Sequence, residues 1–557
     1  MSRIETQHSR LGMVPWPDED GAQYVAKGYW EGRGLAEYLY DESIADDDAT
    51  CLVDGQMRMS YRDLRARVDG AACRLRGLGL RTDDRVVVQL PNCWEFVVLM
   101  AACFRLGVIP VMAQPAHRHL EIANMADLTE AKALVVPDTV KDFDHQAMAR
   151  KIAASTPSVD HVVVAGGDVW AGNIDLRAIC EPISNADAVE LDRIAPNADA
   201  AALFLLSGGT TGRPKLIPRT HNDYAYMIRR AAEICRIGPD TVYLAVHPVA
   251  HGFTMAGPGI LGTLISGGRV VIARSAAPER AFAAIEAERV TMTTLVPASV
   301  RRWLEHRGSD RRHDLSSLRL VQVGGARFSP EVARRVPPAF GCTVQQAYGM
   351  SEGLFCLTRP SDSSEVAYHT QGRPICPDDE LLVVDDHGEP VASGEQGMLL
   401  TRGPYTPRGY YRAAELNAEA FAPGGWYRTG DLVRLRRDGN LVVEGRTKDV
   451  INRGGEKVSA EELEEIIEQL DGVRMVAAVG IPDPLLGERV SIYVVPVPGK
   501  EITLDGIRTS LEQVGLARYK IPEQLVLVDE LPTTALGKTD KKALRAGFAV
   551  AQDHANR

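Results

Sequence analysis

The first three quarters of the chain alternate short apolar runs with longer stretches in which apolar residues recur at helical spacing. Arg85–Leu90, Ala133–Val136, His161–Ala165, Ala201–Leu206, Arg269–Ala273, Thr293–Val296 and Leu318–Val323 are short and largely β-branched or aliphatic, which predicts strands. Trp94–Leu106 is long and almost wholly apolar, which predicts a buried helix. Strands parted by helix-length segments predict parallel sheets covered on both faces. From Asp379 the pattern changes. Glu380–Asp385, Gly397–Arg402 and Asn440–Glu444 are short strands parted by turns such as Asp385-Asp386-His387-Gly388-Glu389, which predicts a smaller β-rich subdomain. After Gly445-Arg446 it changes again. Ser459-Ala460-Glu461-Glu462 reads as a capping box, and Leu463, Ile466, Ile467 and Leu470 continue at helical spacing. Met475–Ile481, Ser491–Val497 and Gln524–Val528 read as strands and Leu504–Val514 as a helix, a compact α+β unit. The expected division is residues 1–447 and 448–557, with no repeats and a frayed end from about Val550.

Composition narrows the class. At 557 residues the chain exceeds what one hydrophobic core supports. The net charge of −11 comes from mixed rather than clustered charges, which argues against a nucleic-acid partner. No stretch approaches the roughly 18 apolar residues that would span a bilayer. Met1–Arg10 lacks the apolar core of a secretory signal. The nine cysteines have neither CxxC nor Cys/His spacing, so they read as reduced and mostly buried in a cytoplasmic protein, without a zinc site or disulfide.

The densest chemistry lies in Leu206-Ser207-Gly208-Gly209-Thr210-Thr211-Gly212-Arg213-Pro214-Lys215, directly after an apolar run. Glycines let the backbone approach an anion, hydroxyls and N–H groups donate to phosphate oxygens, and Lys215 and Arg213 add charge. A P-loop would need Gly-Lys-Ser/Thr after the second glycine, and here Gly212 is followed by Arg213-Pro214-Lys215. The run therefore predicts phosphate binding without a P-loop NTPase fold. Further short motifs follow in order: Gly324-Gly325-Ala326, Gln346–Glu352, Tyr427–Asp431, Gly445–Asp449, Asn452–Lys457 and Pro532–Lys538.

Together these resemble the motifs of the adenylate-forming enzymes, which include acyl- and aryl-CoA synthetases, nonribosomal peptide adenylation domains and luciferases. The resemblance implies an α/β fold with a large N-terminal domain of layered α/β subdomains plus a β-rich subdomain, and a small mobile α+β C-terminal domain that acts as a lid. It implies ATP and Mg²⁺, with a carboxylate coupled to the α-phosphate and pyrophosphate released. On this resemblance Ser207 to Gly212 and Lys215 hold phosphates, Gly325, Ala326, Tyr348 and Gly349 line the nucleotide, and the Tyr348 ring stacks on adenine. Asp431 accepts from the ribose hydroxyls and Arg446 makes a further ribose or phosphate contact. Glu352 is the Mg²⁺ ligand, Lys538 the lysine of the adenylation step, and Lys448 the hinge. Outside these motifs a lone Glu or C-terminal Lys would more often be solvated; Lys541 and Lys542 read as surface charge.

Met13–Glu19, Pro115–Arg118, Leu216–His221 and Ala517–Pro522 narrow the resemblance to stand-alone aryl-acid AMP ligases, which load 2,3-dihydroxybenzoate or salicylate onto an aryl carrier protein. This implies that His251 marks the carboxylate end of a pocket formed with Gly252, Phe253, Gly257, Gly324, Ala347 and Phe355. Gly252 stands where those enzymes carry Asn, Phe253 where they carry Tyr, and Gly257 where they carry Ser or Cys; Phe355 is bulkier than expected. The expected pocket loses polar partners, gains space and disfavours 2,3-dihydroxybenzoate. Hydroxypicolinate, hydroxyanthranilate, a bicyclic acid or a substituted benzoate all remain open. So do siderophore and antibiotic pathways, free CoA as acceptor instead of a phosphopantetheinylated carrier, and an inactive member acting as a binding protein.

Overall fold

The computed structural model describes residues 12–41, 46–184, 188–194, 196–207, 215–326, 328–446, 449–453, 456–483, 486–514, 516, 520–534 and 538–546. By contacts the chain divides into two compact units. The first holds Met1–Ala367, Gly372–Glu380 and Thr401–Tyr427; the second holds Tyr368–Gln371, Leu381–Leu400 and Arg428–Arg557. The β-rich segment thus groups with the C-terminal part. Lys448 lies outside the described residues.

Two large sheets build the first unit. One has seven strands, in which Ala201–Leu206, Ile109–Met112, Arg85–Val88, Ala133–Pro137, His161–Ala165 and Ile174–Asp175 run parallel and Leu216–Thr220 closes one edge antiparallel. The other has nine strands, with a parallel centre that includes Val242–Ala245, Met292–Leu295, Leu320–Gly324 and Thr343–Met350. The apolar runs become buried strands, as their lack of alternation requires for sheets covered on both faces. Trp94–Leu106 is a helix buried almost all round and ended by Gly107 at φ 73°. Its Val97 and Val98 are poor helix formers, each costing about 0.5 kcal/mol relative to Ala. Both are buried, which contributes about 1.5–3 kcal/mol apiece, so packing decides the conformation.

In the second unit Glu380–Val384, Gln396–Arg402, Trp426–Leu435 and Leu441–Arg446 neighbour one another in that order. A second sheet, with Gly487–Pro496 paired to Val473–Asp483 and Gln524–Leu527, packs on Ala460–Glu468 and Leu504–Gln513 through Leu463, Ile467, Ile507 and Leu511. The expected capping box is only half made. Ser459 Oγ accepts from Glu462 N at 3.2 Å, but the Glu462 carboxylate pairs with Lys520 at 2.7 Å instead of turning back.

None of the nine cysteines forms a disulfide, and Cys73 alone among them is partly rather than fully buried. No helix among the described residues is long and apolar enough to cross a membrane.

Burial pushes the Asp379 carboxyl up to about 8, although Cys376 N donates to it at 3.2 Å and Tyr405 Oη also donates. Below about pH 4 both folded and unfolded chains hold this proton. Above that the unfolded chain ionises while the folded one stays protonated, so stability falls as pH rises toward about 8 and then levels. Asp379→Asn should flatten that slope in denaturant midpoints measured from pH 5 to 9. An unchanged slope would assign it to another group.

Candidate active site

Strand Ala201–Leu206 lies antiparallel to Leu216–Thr220, with Leu206 opposite Leu216. Ser207 N donates to Lys215 O at 3.1 Å and closes the neck of the loop between them. Gly208, Gly209, Thr210, Thr211 and Gly212 lie outside the described residues, as does Arg213. Ser207 Oγ is buried with no hydrogen-bond partner among the described residues. Such an orphan costs about 1–3 kcal/mol, which a ligand oxygen would offset. This fits a phosphate at the neck.

Lys215 leads from the loop to a buried cluster. Its Nζ lies 5.3 Å from the centroid of the Tyr410 ring. Tyr410 Oη donates to Glu352 Oε1 at 2.9 Å and is 3.1 Å from Tyr427 Oη. Glu352 and both tyrosines are buried. Burial and the Glu352 carboxylate push both phenols far above their usual range, so they stay protonated donors. Arg219 fixes the residue before Glu352. Its Nε donates to Asp223 Oδ1 at 2.7 Å, both side chains being fully buried, and its Nη1 to the partly buried Ser351 O at 3.3 Å. Among the described residues no group of three His, Cys, Asp or Glu could hold a metal ion. A single buried carboxylate is the donor set that Mg²⁺ uses when substrate phosphates and water complete its shell.

The pocket residues converge at the carboxyl ends of the central strands, where ligands bind in parallel sheets. Gly324 pairs in register with Ala347, Gly349 with Phe355, and Tyr348 with Cys356. A Cβ on Gly324 would lie 3.1 Å from Phe253 Cζ, and one on Gly349 would lie 2.5 Å from Phe355 Cδ2. The two phenylalanines therefore sit on a floor that only glycine leaves flat enough. Gly325 takes φ +86°, and Ala326 beside it is exposed.

The expected gain of space holds at one position and fails at another. Among the described residues a Cβ on Gly252 would meet only Leu205, at 3.8 Å, so they leave this side open. One on Gly257 would lie 3.1 Å from Phe253 Cδ2 and 3.2 Å from Phe355 Cζ. The bulk of Phe355 fills what the missing side chain vacates.

Two histidines four residues apart behave differently. His247 is half-buried at a strand end, its Nε2 accepts from Val296 N at 3.3 Å, and desolvation pushes it down to about 4, so it is neutral. His251 is half-buried and caps the helix Gly252–Ala256, its Nδ1 accepting from Phe253 N at 3.3 Å. That bond puts the ring proton on Nε2, the tautomer suited to donate to a carboxylate.

In the second unit Asp431 is buried, pairs in register with Arg446, and its backbone N donates to Thr429 Oγ1 at 3.0 Å. Lys538 is half-buried and its backbone bonds back to Thr534. Thr534 N donates to Lys538 O at 2.7 Å, and Lys538 N to Thr534 Oγ1 at 3.3 Å. Lys541 is not surface charge. Its Nζ is 2.8 Å from Glu464 Oε1 with its side chain only 14 % exposed, because it packs inward under the turn. Tyr410 carried no sequence signal beyond ordinary aromatic character, Arg219 was visible only inside the run Leu216–His221, and Tyr427 only as the head of a motif. Tyr410's partner Glu352 and Arg219's partner Ser351 lie 58 and 132 residues away along the chain.

Residues 42–411 match the model of the AMP-binding enzyme family and residues 462–538 that of the AMP-binding enzyme C-terminal domain. The chain is 57 % identical over 539 residues to a 2-hydroxy-7-methoxy-5-methyl-1-naphthoate–CoA ligase of Streptomyces carzinostaticus, covering 96 % of this chain and 97 % of that one. It is 46 % identical over 539 residues to a 2,3-dihydroxybenzoate-AMP ligase of Bacillus subtilis, covering 97 % and 98 %. Among solved structures, apo MbtA of Mycobacterium smegmatis matches with a TM-score of 0.73 and 42 % identity, covering 98 % of this chain and 100 % of the other. The chain belongs to the AMP-binding enzyme family and, within that adenylate-forming superfamily, is an aryl-acid–AMP ligase.

Proposed function

We propose that the chain activates an aromatic acid larger or differently substituted than 2,3-dihydroxybenzoate and passes the aryl group to a phosphopantetheine thiol. In the first step a carboxylate oxygen bonds to the α-phosphorus of ATP as the bond to the β-phosphate breaks and pyrophosphate leaves. In the second the thiol sulfur bonds to the acyl carbon and AMP leaves. The observation that carries the choice of acid is the open side at Gly252 beside a slot closed by Phe253 and Phe355 at Gly257. An added ring or ring substituent fits the first, while an ortho-hydroxyl finds no side-chain amide there. The naphthoate in the name of the 57 % identical relative supports the same reading.

His251 Nε2–H holds the acid's carboxylate, Ser207 and Lys215 hold phosphates, and Glu352 holds Mg²⁺, which supplies charge neutralisation between phosphate oxygens. Tyr348 stacks on adenine, Asp431 receives the ribose hydroxyls, and Lys538 serves the adenylation step after the unit beyond residue 448 turns. An aryl carrier protein is the first reading for the acceptor. Free CoA is the second, supported by the word CoA in that same relative's name. The need for ATP and nine cysteines without a disulfide support a cytoplasmic setting.

Pyrophosphate exchange with a panel of benzoates, picolinates, naphthoates and quinoline acids tests the acid, and parallel loading of CoA and a phosphopantetheinylated carrier tests the acceptor. Glu352→Gln should raise the Mg²⁺ concentration needed for half-maximal exchange by about tenfold or more without lowering the melting temperature. Identical Mg²⁺ titrations would remove Glu352 from the ligand set.

A further inference from the structure

We propose that Tyr410 is a positioning residue that keeps the Lys215 ammonium and the Glu352 carboxylate from pairing with each other, so that both remain available to Mg²⁺-nucleotide. The proposal rests on the reading of Glu352 as the metal ligand and Lys215 as a phosphate ligand. A cation and an anion that share a buried site attract strongly, and a direct pair would occupy both. Tyr410 satisfies each separately. Its ring face receives the ammonium, with Nζ 5.3 Å from the centroid, and its hydroxyl donates to Glu352 Oε1 at 2.9 Å.

The hydroxyls have a fixed direction. Because Tyr410 donates to the carboxylate, the 3.1 Å contact with Tyr427 is filled by Tyr427 donating to Tyr410. Two phenols in series thus polarise toward Glu352. The spacer is itself held rigidly. Tyr410 N donates to Asn417 Oδ1 at 2.7 Å and Asn417 Nδ2 donates back to Tyr410 O at 3.0 Å. The ring packs edge-on against Phe421 at 5.8 Å and is 3 % exposed. A ring so clamped keeps its face toward Lys215 and its hydroxyl toward the carboxylate.

Mn²⁺ binding by electron paramagnetic resonance, on the full chain with α,β-methylene-ATP, separates the two readings. Glu352→Gln is the reference. Tyr410→Phe keeps the ring and removes the donor, and should weaken Mn²⁺ binding about tenfold. Tyr410→Leu removes the cation's seat as well and should weaken both Mn²⁺ and nucleotide binding further. The double variant E352Q/Y410F should bind Mn²⁺ no worse than E352Q alone, because Tyr410 acts through that carboxylate. In steady state the Tyr410→Phe effect should fall on KM for ATP and the Mg²⁺ requirement more than on kcat. If Glu352→Gln leaves Mn²⁺ binding unchanged, the ligand reading is wrong. If Glu352→Gln weakens it and Tyr410→Phe does not, the positioning role is overturned. A lowered melting temperature at wild-type Mn²⁺ affinity would also overturn it and leave Tyr410 a packing residue. If Tyr410→Phe does not fold, Tyr427→Phe decides by the same criteria, with a smaller expected loss.

Discussion

Lys538→Ala is expected to slow formation of the aryl-adenylate by about 10²–10³-fold, the usual cost of losing one preorganised electrostatic group. Attack of a thiol on supplied aryl-AMP should be nearly unchanged. The expectation rests on the proposed duty of Lys538 in only one of two half-reactions, and on the turn that presents it. Thr534 and Lys538 exchange bonds at 2.7 and 3.3 Å, and Asp540 N donates to Pro532 O at 2.7 Å, so the backbone beneath the lysine is fixed by its own neighbours. The side chain can then be delivered as one piece with the unit that carries it. Lys541→Ala is the control. Lys541 pairs with Glu464 inside the fold, so its loss should lower folding stability and depress both half-reactions alike. Single-turnover measurement of each half, on both variants, gives the answer. Equal losses in the two halves for Lys538→Ala would remove it from the adenylation step.

Much of this architecture was legible because burial dictates pattern. A strand covered on both faces has no reason to alternate, and His161–Ala165 and Ala201–Leu206 fall where their unbroken apolar runs placed them. The flanks of the motifs are local too. Ser207 and Lys215 close onto each other at the ends of two paired strands, and Lys538 bonds back to Thr534 of the Pro532-Thr533-Thr534 run. What sequence could not carry were contacts decided by distant partners. Glu462 fits a capping box until Lys520, 58 residues on, takes its carboxylate. Gly257, at the end of the helix Gly252–Ala256, looks like an opening until Phe355, on the strand Gly353–Leu357, fills it. Tyr410 looks like any half-apolar residue until Glu352 stands at its hydroxyl.

That last kind of error reshapes the expectation for the substrate. With two open glycines, two lost hydrogen bonds would set the discrimination against ortho-hydroxylated acids. With Gly257 packed against Phe253 and Phe355, only Gly252 has room to take a side chain. Gly252→Asn should therefore recover one hydrogen bond to an ortho-hydroxyl, about 0.5–1.5 kcal/mol, and raise kcat/KM for salicylate-type acids about two- to tenfold relative to the preferred acid. Its added bulk should also reduce turnover of bicyclic acids, since the space beside Leu205 is what the second ring would use. Gly257→Ser should not restore polar recognition. Its Cβ would stand 3.1 Å from one ring and 3.2 Å from the other, and overpacking of about 1–3 kcal/mol should lower exchange with every acid alike. Pyrophosphate exchange across the acid panel for wild type and both variants distinguishes these outcomes. If wild type prefers 2,3-dihydroxybenzoate, the open side at Gly252 does not select the acid, and a contact from elsewhere in the slot must hold the hydroxyl. If Gly257→Ser raises activity toward hydroxybenzoates, the two phenylalanines yield more readily than their packing implies, and the polar contact at that position matters after all.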